Sequence, residues 1–351
     1  MQMKHMEDIR TNELVSQGWR GRLRADPLPW LLERENPPVR YAALTELLDR
    51  PLDDPEAVAA RDAVNGSHPV KAILAAQHPE GYWAKPGPGY GPKYRSTVWQ
   101  LMFLDQLGAD GRDPRIQAAC EYVLAHTQAP NGGFGASGFE RAARPPNSSV
   151  LHCLNGNLLR ALLGFGFADD ERVRRAIEWQ ARSVTGEGFA GYFASGTSGP
   201  GYGCGVNGGD PCAWGAIKAL RGLARIPPAA RSPQVKKAIR IGTAFLLSRD
   251  PAKADYPSGG EPISSSWFKL GFPSGYVADV LQNLEVLAEL GRGRDRRLRP
   301  AITWVLSRQD EQGRWKNRYA YPRKQVADVE RQGSVSKWVT LRACRVVRAA
   351  A

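Results

Sequence analysis

The feature that most constrains the fold is a repeat of about 60 residues in which two kinds of helix alternate. One kind has a single apolar stripe with the spacing i, i+3, i+4, i+7 and i+8, which predicts a helix with one buried face. This stripe occupies 116–124 and 298–306, and it begins again at Val173 and at Val235. Residues that can cap a helix precede the four stripes: Asp113, Asp170, Ser232 and Asp295.

The second kind of helix is apolar over most of its circumference, which is typical of helices buried on more than one side. These segments are 97–108, 151–166, 212–224, 277–291 and 336–347. All but the last precede a striped helix, so each repeat is a helical hairpin. A stack of hairpins forms an open solenoid or a closed ring, and an open arc would leave one face of the apolar helices in water. We therefore predict an all-α fold, an α/α toroid built as a barrel of about five to six helical hairpins.

The chain is predicted to form one domain over 27–351, in which 27–66 adds N-terminal helices packed on the ring, after a tail at 1–26. No run approaches the roughly 20 apolar residues that span a bilayer. The first 14 residues carry charges where a signal peptide needs an apolar core. Five scattered cysteines indicate a reducing compartment rather than a disulfide framework. We therefore expect a cytoplasmic protein.

Loop lengths predict where the functional face lies. The turn that follows each apolar helix is short, whereas the connection from a striped helix to the next apolar helix is long. The long connections are 129–149, 183–210, 249–274 and 310–333. In a ring they all gather on the rim where the apolar helices begin, and long loops on a rigid scaffold often carry function. The glycine-rich part at 185–209 is either a mobile lid or a flexible connector.

A short motif recurs after the striped helices: a glutamine, a gap, a glycine and an aromatic residue. It stands as QHPEGYW at 77–83, QAPNGGF at 128–134 and QDEQGRW at 309–315. This motif resembles the QW repeat of the squalene/hopene cyclase and protein prenyltransferase β-subunit superfamily. In that family the glutamine holds a helix end and the aromatic residue packs on it. The resemblance extends over 69–348 and implies the same toroid.

A second resemblance is local. The segment GGDPCAWGAIKAL at 208–220 is similar to the D-x-C segment that opens an inner helix in protein prenyltransferase β-subunits. The family's Asp and Cys bind a catalytic zinc ion, which implies Asp210 and Cys212 as ligands here. Tyr276 stands where that family has a histidine ligand. Hopene-type cyclases carry D-x-D-D at the same helix start, and this chain has no such motif.

Two aspartates are candidate acids at the starts of the apolar helices, Asp210 and Asp279. In an apolar cavity the pKa of an Asp rises because desolvation disfavours the anion, and a neutral carboxyl can protonate an alkene or epoxide. The alternative for Asp210 is a helix N-cap. Asp279 is predicted inside its helix, and its alternative role is a hydrogen bond to a neighbouring repeat. Tyr276, beside the helix start that carries Asp279, and His152, at a further helix start, complete the predicted catalytic set.

Three cysteines lie at the predicted rim: Cys153, Cys204 and Cys212. Together with His152 or Asp210 they form a candidate zinc site, because zinc prefers sulfur and nitrogen ligands in tetrahedral geometry. Zinc is the one cofactor that the sequence suggests. The alternative is that these cysteines are free and behave as small apolar residues.

Aromatic side chains near the starts of the apolar helices are predicted to line a central, substrate-binding cavity: Trp99, Phe103, Trp214 and Trp338. Aromatic faces stabilise cations, as the cyclisation of a polyene requires. The alternative is that they fill the centre of the ring.

The formal net charge of +13 comes partly from clusters on the striped helices, such as Arg172, Arg174 and Arg175. We interpret them as a solvated outer face, so nucleic acid is not an expected partner. The leading hypothesis is an isoprenoid-processing enzyme, terpene cyclase-like, that cyclises a hydrophobic polyene by acid initiation, with peripheral membrane contact as an additional expectation. One alternative is a zinc-dependent prenyltransferase-like or lanthipeptide-cyclase-like enzyme. Another is a non-catalytic toroid that binds lipid or peptide.

Overall fold

The computed structural model describes residues 18–137 and 144–351. Helices dominate it, joined by short 3-10 and π turns. The helices are α1 (Leu28–Leu31), α2 (Pro37–Ala42), α3 (Pro55–Asp62), α4 (His68–Ala75), α5 (Thr97–Gln106), α6 (Pro114–His126), α7 (His152–Gly164), α8 (Glu171–Thr185), α9 (Ala213–Ala224), α10 (Pro233–Leu246), α11 (Val280–Glu289), α12 (Arg299–Ser307) and α13 (Lys337–Ala349). Two short strands, β1 (Trp315–Lys316) and β2 (Val335–Ser336), pair antiparallel with Trp315 opposite Ser336.

The apolar helices α5, α7, α9, α11 and α13 form an inner ring in which each contacts the next in chain order. The striped helices α6, α8, α10 and α12 pack outside, each on the inner helix that precedes it. The predicted all-α toroid of helical hairpins is therefore confirmed. All four predicted capping residues accept a hydrogen bond from a backbone N–H in the turn that they open: Asp113, Asp170, Ser232 and Asp295.

The N-terminal part of the chain completes the ring between α13 and α5. Helix α2 continues into a π turn, Ala43–Leu47, and both pack on α13. Part of the predicted tail also belongs to the fold, because the backbone N–H of Arg24 donates to Oε1 of Gln309 at 3.0 Å and its guanidinium donates to the Gln309 carbonyl at 3.0 Å. Of the predicted tail, residues 1–17 lie outside the described residues.

The glutamine of the first two sequence motifs joins neighbouring outer helices. Gln77 donates to the carbonyl of Arg115 at 2.9 Å, and Gln128 donates to the carbonyl of Arg172 at 2.6 Å. The motif aromatics are buried, and both tryptophans donate to a carbonyl ten residues back: Trp83 to Ile73 and Trp315 to Val305, each at 2.7 Å. The two tryptophans thus bind carbonyls in the last turn of a helix, where carbonyls lack an i+4 partner, and the glutamines bind carbonyls in the first turn of the next outer helix.

The closest approach in the inner ring is between α7 and α9, where two glycines meet. A methyl group on Gly156 would lie 2.5 Å from the Cα of Ala219 and would overlap the Lys218 carbonyl. A methyl group on Gly222 would lie 2.6 Å from the Gly156 carbonyl oxygen. The two backbones can therefore touch only because both positions lack a Cβ atom. Among the described helices, none combines the length and the hydropathy that a bilayer-spanning segment needs.

Candidate functional site

The inner helices run in one direction, so their first turns share one rim and their last turns share the other. We call these the N-terminal rim and the C-terminal rim. The three predicted cysteines lie together at the N-terminal rim. Cys212 is the N-cap of α9, and its sulfur accepts a hydrogen bond from the Gly215 N–H at 3.3 Å. Cys204 lies in the preceding loop and shares a hydrogen bond with Cys212, and Cys153 is close enough to both to influence their ionisation.

The three thiols differ in acidity. The hydrogen bond from Cys212, aided by the backbone N–H groups of Val206 and Asn207, lowers the pKa of Cys204 to about 6. Burial, followed by the proximity of Cys204, raises the pKa of Cys153 to about 12. The pKa of Cys212 is raised, first because it is the donor to Cys204 and second because it is buried. Of the three thiols, Cys204 is therefore the one whose ionisation its contacts favour, and thiolates are the nucleophilic form of cysteine.

The residues around these thiols do not fit a metal ion. Within 18–137 and 144–351, no group of three or more His, Cys, Asp or Glu side chains has the arrangement of a metal site. His152, one predicted fourth ligand, uses both ring nitrogens: Nε2–H donates to the Gly199 carbonyl and Nδ1 accepts from Gln180, each at 2.9 Å. Asp210, the other, is exposed and accepts from the Gly259 N–H at 3.2 Å. Zinc binding therefore stays a prediction that the geometry does not favour.

His152 fixes the loop before α9 onto the start of α7. Its backbone N–H donates to the Ser198 hydroxyl at 3.1 Å, and its ring holds the Gly199 carbonyl. Burial lowers the pKa of His152 to about 4, so the imidazole is neutral at physiological pH. The predicted catalytic role of His152 is therefore replaced by a positioning role.

The two predicted acids lack the surroundings that acid catalysis requires. Asp210 is exposed, so the desolvation on which its predicted role depended is missing. Asp279 is the N-cap of α11, not a residue inside the helix as predicted. Its carboxylate accepts from the N–H groups of Gln282 at 2.7 Å and Gly271 at 3.0 Å, and it pairs with Arg342. These interactions engage both carboxylate oxygens of Asp279 in contacts that hold the start of α11 and the segment before it.

The predicted cavity-lining aromatics are found in three places. Trp99 and Phe103 belong to an aromatic cluster that fills the ring beneath the N-terminal rim: Tyr90, Tyr94, Trp99, Phe103, Tyr276 and Tyr321. Trp214 instead packs on Trp267 with ring centroids 6.1 Å apart. Trp338 stacks on Phe272 with centroids 4.3 Å apart and planes 8° from parallel. Only Trp99 and Phe103 therefore lie where the predicted pocket would be.

Two buried polar atoms at this level of the ring have no hydrogen-bond partner of normal geometry, the Tyr276 hydroxyl and Nε1 of Trp214. Burial raises the pKa of Tyr276 well above its ordinary value, and the nearby Tyr90 and Cys153 add to the effect. Buried polar groups are normally hydrogen-bonded. These two unpaired groups, close to the thiols in the sequence-predicted rim, are therefore candidates for contact with a ligand.

The segment 271–276 crosses the ring interior below the aromatic cluster. Ser274 exchanges two hydrogen bonds with the Gln106 side chain at the end of α5, at 2.8 and 2.9 Å. The Gly275 N–H donates to the Tyr321 hydroxyl at 3.0 Å, and Arg342 donates to the Gly271 carbonyl at 2.5 Å. This crossing segment separates the aromatic cluster from the open part of the ring.

An axial cavity of about 930 Å³ lies on the other side of the crossing segment. It is bounded inside by Phe272 and Trp338 and is lined further out by the last turns of the inner helices. The sequence predicted an apolar cavity that opens at the N-terminal rim. That prediction is wrong for this cavity, because its walls are charged and it lies at the C-terminal rim. The charged lining residues are Glu46, Arg61, Asp105, Asp110, Arg160, Arg221, Arg225, Glu285, Glu289, Arg294, Arg342, Arg345 and Arg348.

Several residues of interest were missed from the sequence. Burial raises the pKa of Glu330 to about 7, although Ser336 and the backbone N–H of Lys337 donate to its carboxylate. Lys218 is fully buried and donates to the Gln282 side chain, and burial lowers its pKa well below the ordinary value. Nothing in the sequence near Glu330 indicates burial. Lys218, however, is a charged residue in a segment that is otherwise apolar, and that pattern was informative.

Comparison with known proteins gives weak likenesses. No protein-family profile matches the chain, and no curated protein matches it. The apo structure of type II terpene cyclase MstE from Scytonema overlaps 82% of this chain and 97% of its own, with 15% identity and a TM-score of 0.30. A variant of that enzyme in complex with its substrate, geranylgeranyl dihydroxybenzoate, shows 16% identity and a TM-score of 0.31. That match covers 82% of this chain and 97% of the variant. A protein from Actinoplanes shows 15% identity and a TM-score of 0.32, and the match covers 82% of this chain and 98% of that protein. Likenesses at this level carry no argument about activity.

Proposed function

We propose that this toroid is an isoprenoid-processing enzyme, terpene cyclase-like in the general sense, that receives a hydrophobic polyene through its N-terminal rim. One observation carries the proposal. Of the six large apolar side chains that are exposed among the described residues, five lie in connections that lead to an inner helix, and the sixth, Leu52, does not. The five are Tyr192, Val206, Ile263, Phe268 and Val335. Exposed apolar residues gathered at one face mark a place where a hydrophobic partner docks.

The aromatic cluster beneath this rim supports the same proposal. Trp99 lies at its centre, with the Tyr94 ring centroid 4.7 Å and the Tyr276 ring centroid 4.9 Å away. A polyene that displaced part of this packing would meet aromatic faces, which stabilise the cations formed during cyclisation. The Tyr276 hydroxyl, which also interacts with Tyr90, would then have a polar end of the substrate as a further partner.

The Cys204 thiolate favours a second candidate function, in which sulfur is the reactive group. A thiolate beside a hydrophobic entrance is suited to a reaction in which a group is transferred to or from sulfur. The acid-initiated route does not require a thiolate. Acid initiation by Asp210 or Asp279 has little support, since Asp210 is exposed and both carboxylate oxygens of Asp279 are engaged by backbone N–H groups. Glu330, whose pKa is about 7, is the better-placed proton donor among the described carboxyls for that route.

Incubation of the purified protein with polyenes, followed by mass spectrometry of the products, tests the proposal. Geranylgeranyl dihydroxybenzoate and squalene are suitable first compounds. Loss of conversion in Cys204→Ser but not in Cys120→Ser, which removes a buried thiol of an outer helix, would indicate the thiol route. Loss in Glu330→Gln alone would indicate acid initiation. Saturable binding without conversion would indicate the lipid-binding alternative, and the absence of binding would overturn the proposal.

Membrane contact through the same rim follows as a part of the proposal. Sedimentation with vesicles of neutral and anionic lipid is the measurement. Phe268→Ser combined with Val335→Ser should weaken binding, since apolar side chains enter the headgroup boundary when a protein rests on a membrane. Leu52→Ser, which removes an exposed apolar side chain elsewhere, should leave it unchanged. Equal effects of the two changes would remove membrane contact from the proposal.

A further inference from the structure

Arg221 is the starting point, because its guanidinium has no partner, whereas all but one of the other guanidiniums that line the cavity are paired with a carboxylate. Arg221 lies in the last turn of α9 and lines the axial cavity. Within the described residues, no carboxylate lies within 4.0 Å of its side chain, and its side chain makes no hydrogen bond. Arg294, the other cavity arginine without such a partner, is exposed to solvent. Arg221 is only partly exposed, and partial burial of an unpaired charge is costly.

Neighbouring guanidiniums surround Arg221. Arg160 donates to the Arg221 backbone carbonyl at 3.1 Å and pairs with Glu289 at 3.0 Å. Arg342 pairs with Glu285 at 2.6 Å on another side. Burial, then the charge of Arg160, lowers the pKa of Arg221 to about 10, and Arg342 acts in the same direction. Three guanidiniums from three inner helices thus lie on one side of the cavity. The two nearby carboxylates are already paired, Glu289 with Arg160 and Glu285 with Arg342.

The charge of the cavity as a whole is positive. Eight arginines and five carboxylates line it, an excess of three positive charges. The C-terminal ends of the inner helices carry partial negative charge and offset part of this excess. Arginines near helix ends often serve only to balance that charge. Glu285 and Glu289 lie near Arg221 and favour its charged form, but each is already paired with another arginine, so Arg221 has no carboxylate of its own.

We propose that the axial cavity binds a phosphoryl anion, held by Arg221 and Arg160, while Arg342 adds positive charge and keeps its own N–H groups on Glu285, Asp279 and the Gly271 carbonyl. Guanidinium groups present planar pairs of N–H donors that match phosphate oxygens. A tetrahedral phosphoryl group offers three or more oxygens and can accept from several N–H groups of two guanidiniums at once, whereas a carboxylate offers only two oxygens. The cavity volume of about 930 Å³ leaves room for the remainder of a phosphorylated small molecule. This site lies across the crossing segment from the thiols and does not depend on the proposed isoprenoid activity.

Isothermal titration calorimetry with inorganic phosphate and with diphosphate at low ionic strength tests the proposal. We expect saturable binding to wild-type protein, and we expect Arg221→Met to weaken it at least about tenfold, since a charge-assisted hydrogen-bonded pair is lost. Arg240→Met, which removes an exposed arginine of α10, is the matched control and should bind as wild type does. Acetate and citrate should bind more weakly than diphosphate if the site is selective for phosphoryl oxygens.

Thermal unfolding keeps the test decisive if a variant folds poorly. Without added anion, Arg221→Met should melt at the same or a higher temperature than wild type, because it removes an unpaired charge. Diphosphate should raise the melting temperature of wild type and of Arg240→Met but not of Arg221→Met. Absence of binding to wild type, equal binding by Arg221→Met and Arg240→Met, or preference for citrate over diphosphate would each overturn the proposal.

Discussion

The guanidinium of Arg342 lies 3.5 Å from the Asp279 carboxylate inside the ring, with only 4% and 6% of these side chains exposed. Arg342 belongs to α13 and Asp279 caps α11, so the pair joins the last two inner helices. The same guanidinium pairs with Glu285 of α11 at 2.6 Å. One permanent cation therefore compensates two buried carboxylates and also holds the Gly271 carbonyl of the crossing segment.

Replacing Arg342 by Met should destabilise the protein by about 3–5 kcal/mol, because it leaves buried carboxylates without a counter-charge. Urea unfolding is the measurement. Arg345→Met, one turn further along α13, removes a partly exposed pair with Glu46 and should cost no more than about 1 kcal/mol. Similar losses for the two variants would mean that water reaches the Arg342 pair.

The helices were predictable because their apolar patterns are strong, and the caps at Asp113 and Ser232 fixed where two outer helices begin. The role of Asp279 was not predictable. Tyr276, Val277 and Ala278 continue the apolar character of α11 backwards, so the pattern alone places Asp279 inside the helix. The backbone before α11 instead turns into the ring, where the Gly271 N–H reaches Asp279. Packing between segments that are distant in sequence determines this path of the backbone. Local sequence patterns contain no information about such packing.

The site was predictable only in part for the same reason. Three cysteines spaced far apart were expected at one rim because each adjoins the start of an inner helix, and the structure places them together. The charged cavity was not expected, although Arg221 and Arg342 interrupt apolar helices. A single charge on an apolar helix does not reveal which rim it faces or what lies opposite. The position of the crossing segment decides both, and its path depends on contacts such as Ser274 with Gln106.

Glu330 should make stability fall as pH rises. In the unfolded chain a Glu ionises near pH 4.5, whereas burial raises the pKa of Glu330 to about 7 in the folded protein. Its contribution is fully present below about pH 4.5 and is lost as pH rises to 7, because only the unfolded chain gains from ionisation over that range. At 1.36 kcal/mol per pKa unit, and allowing for partial exposure of the side chain, the loss is about 1–2 kcal/mol.

Urea unfolding of Glu330→Gln between pH 4.5 and pH 8 measures this contribution. Relative to wild type, the variant should gain about 1–2 kcal/mol across the range, since Gln does not titrate. Glu261→Gln, an exposed loop residue, should show no such gain. If the difference between Glu330→Gln and wild type does not vary with pH, the carboxyl is hydrated and its role as a proton donor loses its basis.

Cys204 should be the most reactive cysteine near neutral pH. With its pKa lowered to about 6, roughly nine tenths of this thiol is ionised at pH 7, whereas the pKa of Cys153 is raised to about 12. Iodoacetamide labelling followed by peptide mass spectrometry should modify Cys204 first, with a rate that levels off above pH 7. Substitution of Cys212, which holds the hydrogen-bond donor, is the informative change.

A serine hydroxyl at position 212 can still donate, so Cys212→Ala is the stronger test. It should raise the pKa of Cys204 towards the ordinary value of 8.5 and slow labelling at pH 7 severalfold. Cys120→Ala, in an outer helix, should leave the labelling rate unchanged. Equal rates for wild type and Cys212→Ala would show that the Cys204–Cys212 hydrogen bond does not control reactivity.

Gly156→Ala should be the most damaging small substitution in the inner ring. The added methyl group would lie against backbone atoms of α9, 2.5 Å from the Cα of Ala219, and backbone in a packed helix cannot step aside. The helices must separate, which costs about 3 kcal/mol or more and outweighs the gain of about 1 kcal/mol in helix propensity. Separation would also disturb Lys218, whose buried amine depends on the Gln282 side chain for its hydrogen bond.

Gly164→Ala in the same helix is the matched control. Its methyl group would meet only the ends of the Arg225 and Asp105 side chains, and flexible side chains at the exposed end of α7 can move. We therefore expect a change within about 1 kcal/mol, while Gly156→Ala loses several times as much in urea unfolding. A Gly156→Ala protein as stable as Gly164→Ala would mean that α7 and α9 lie further apart in solution. The ring around the thiols and the axial cavity would then be wider than the contacts described above require.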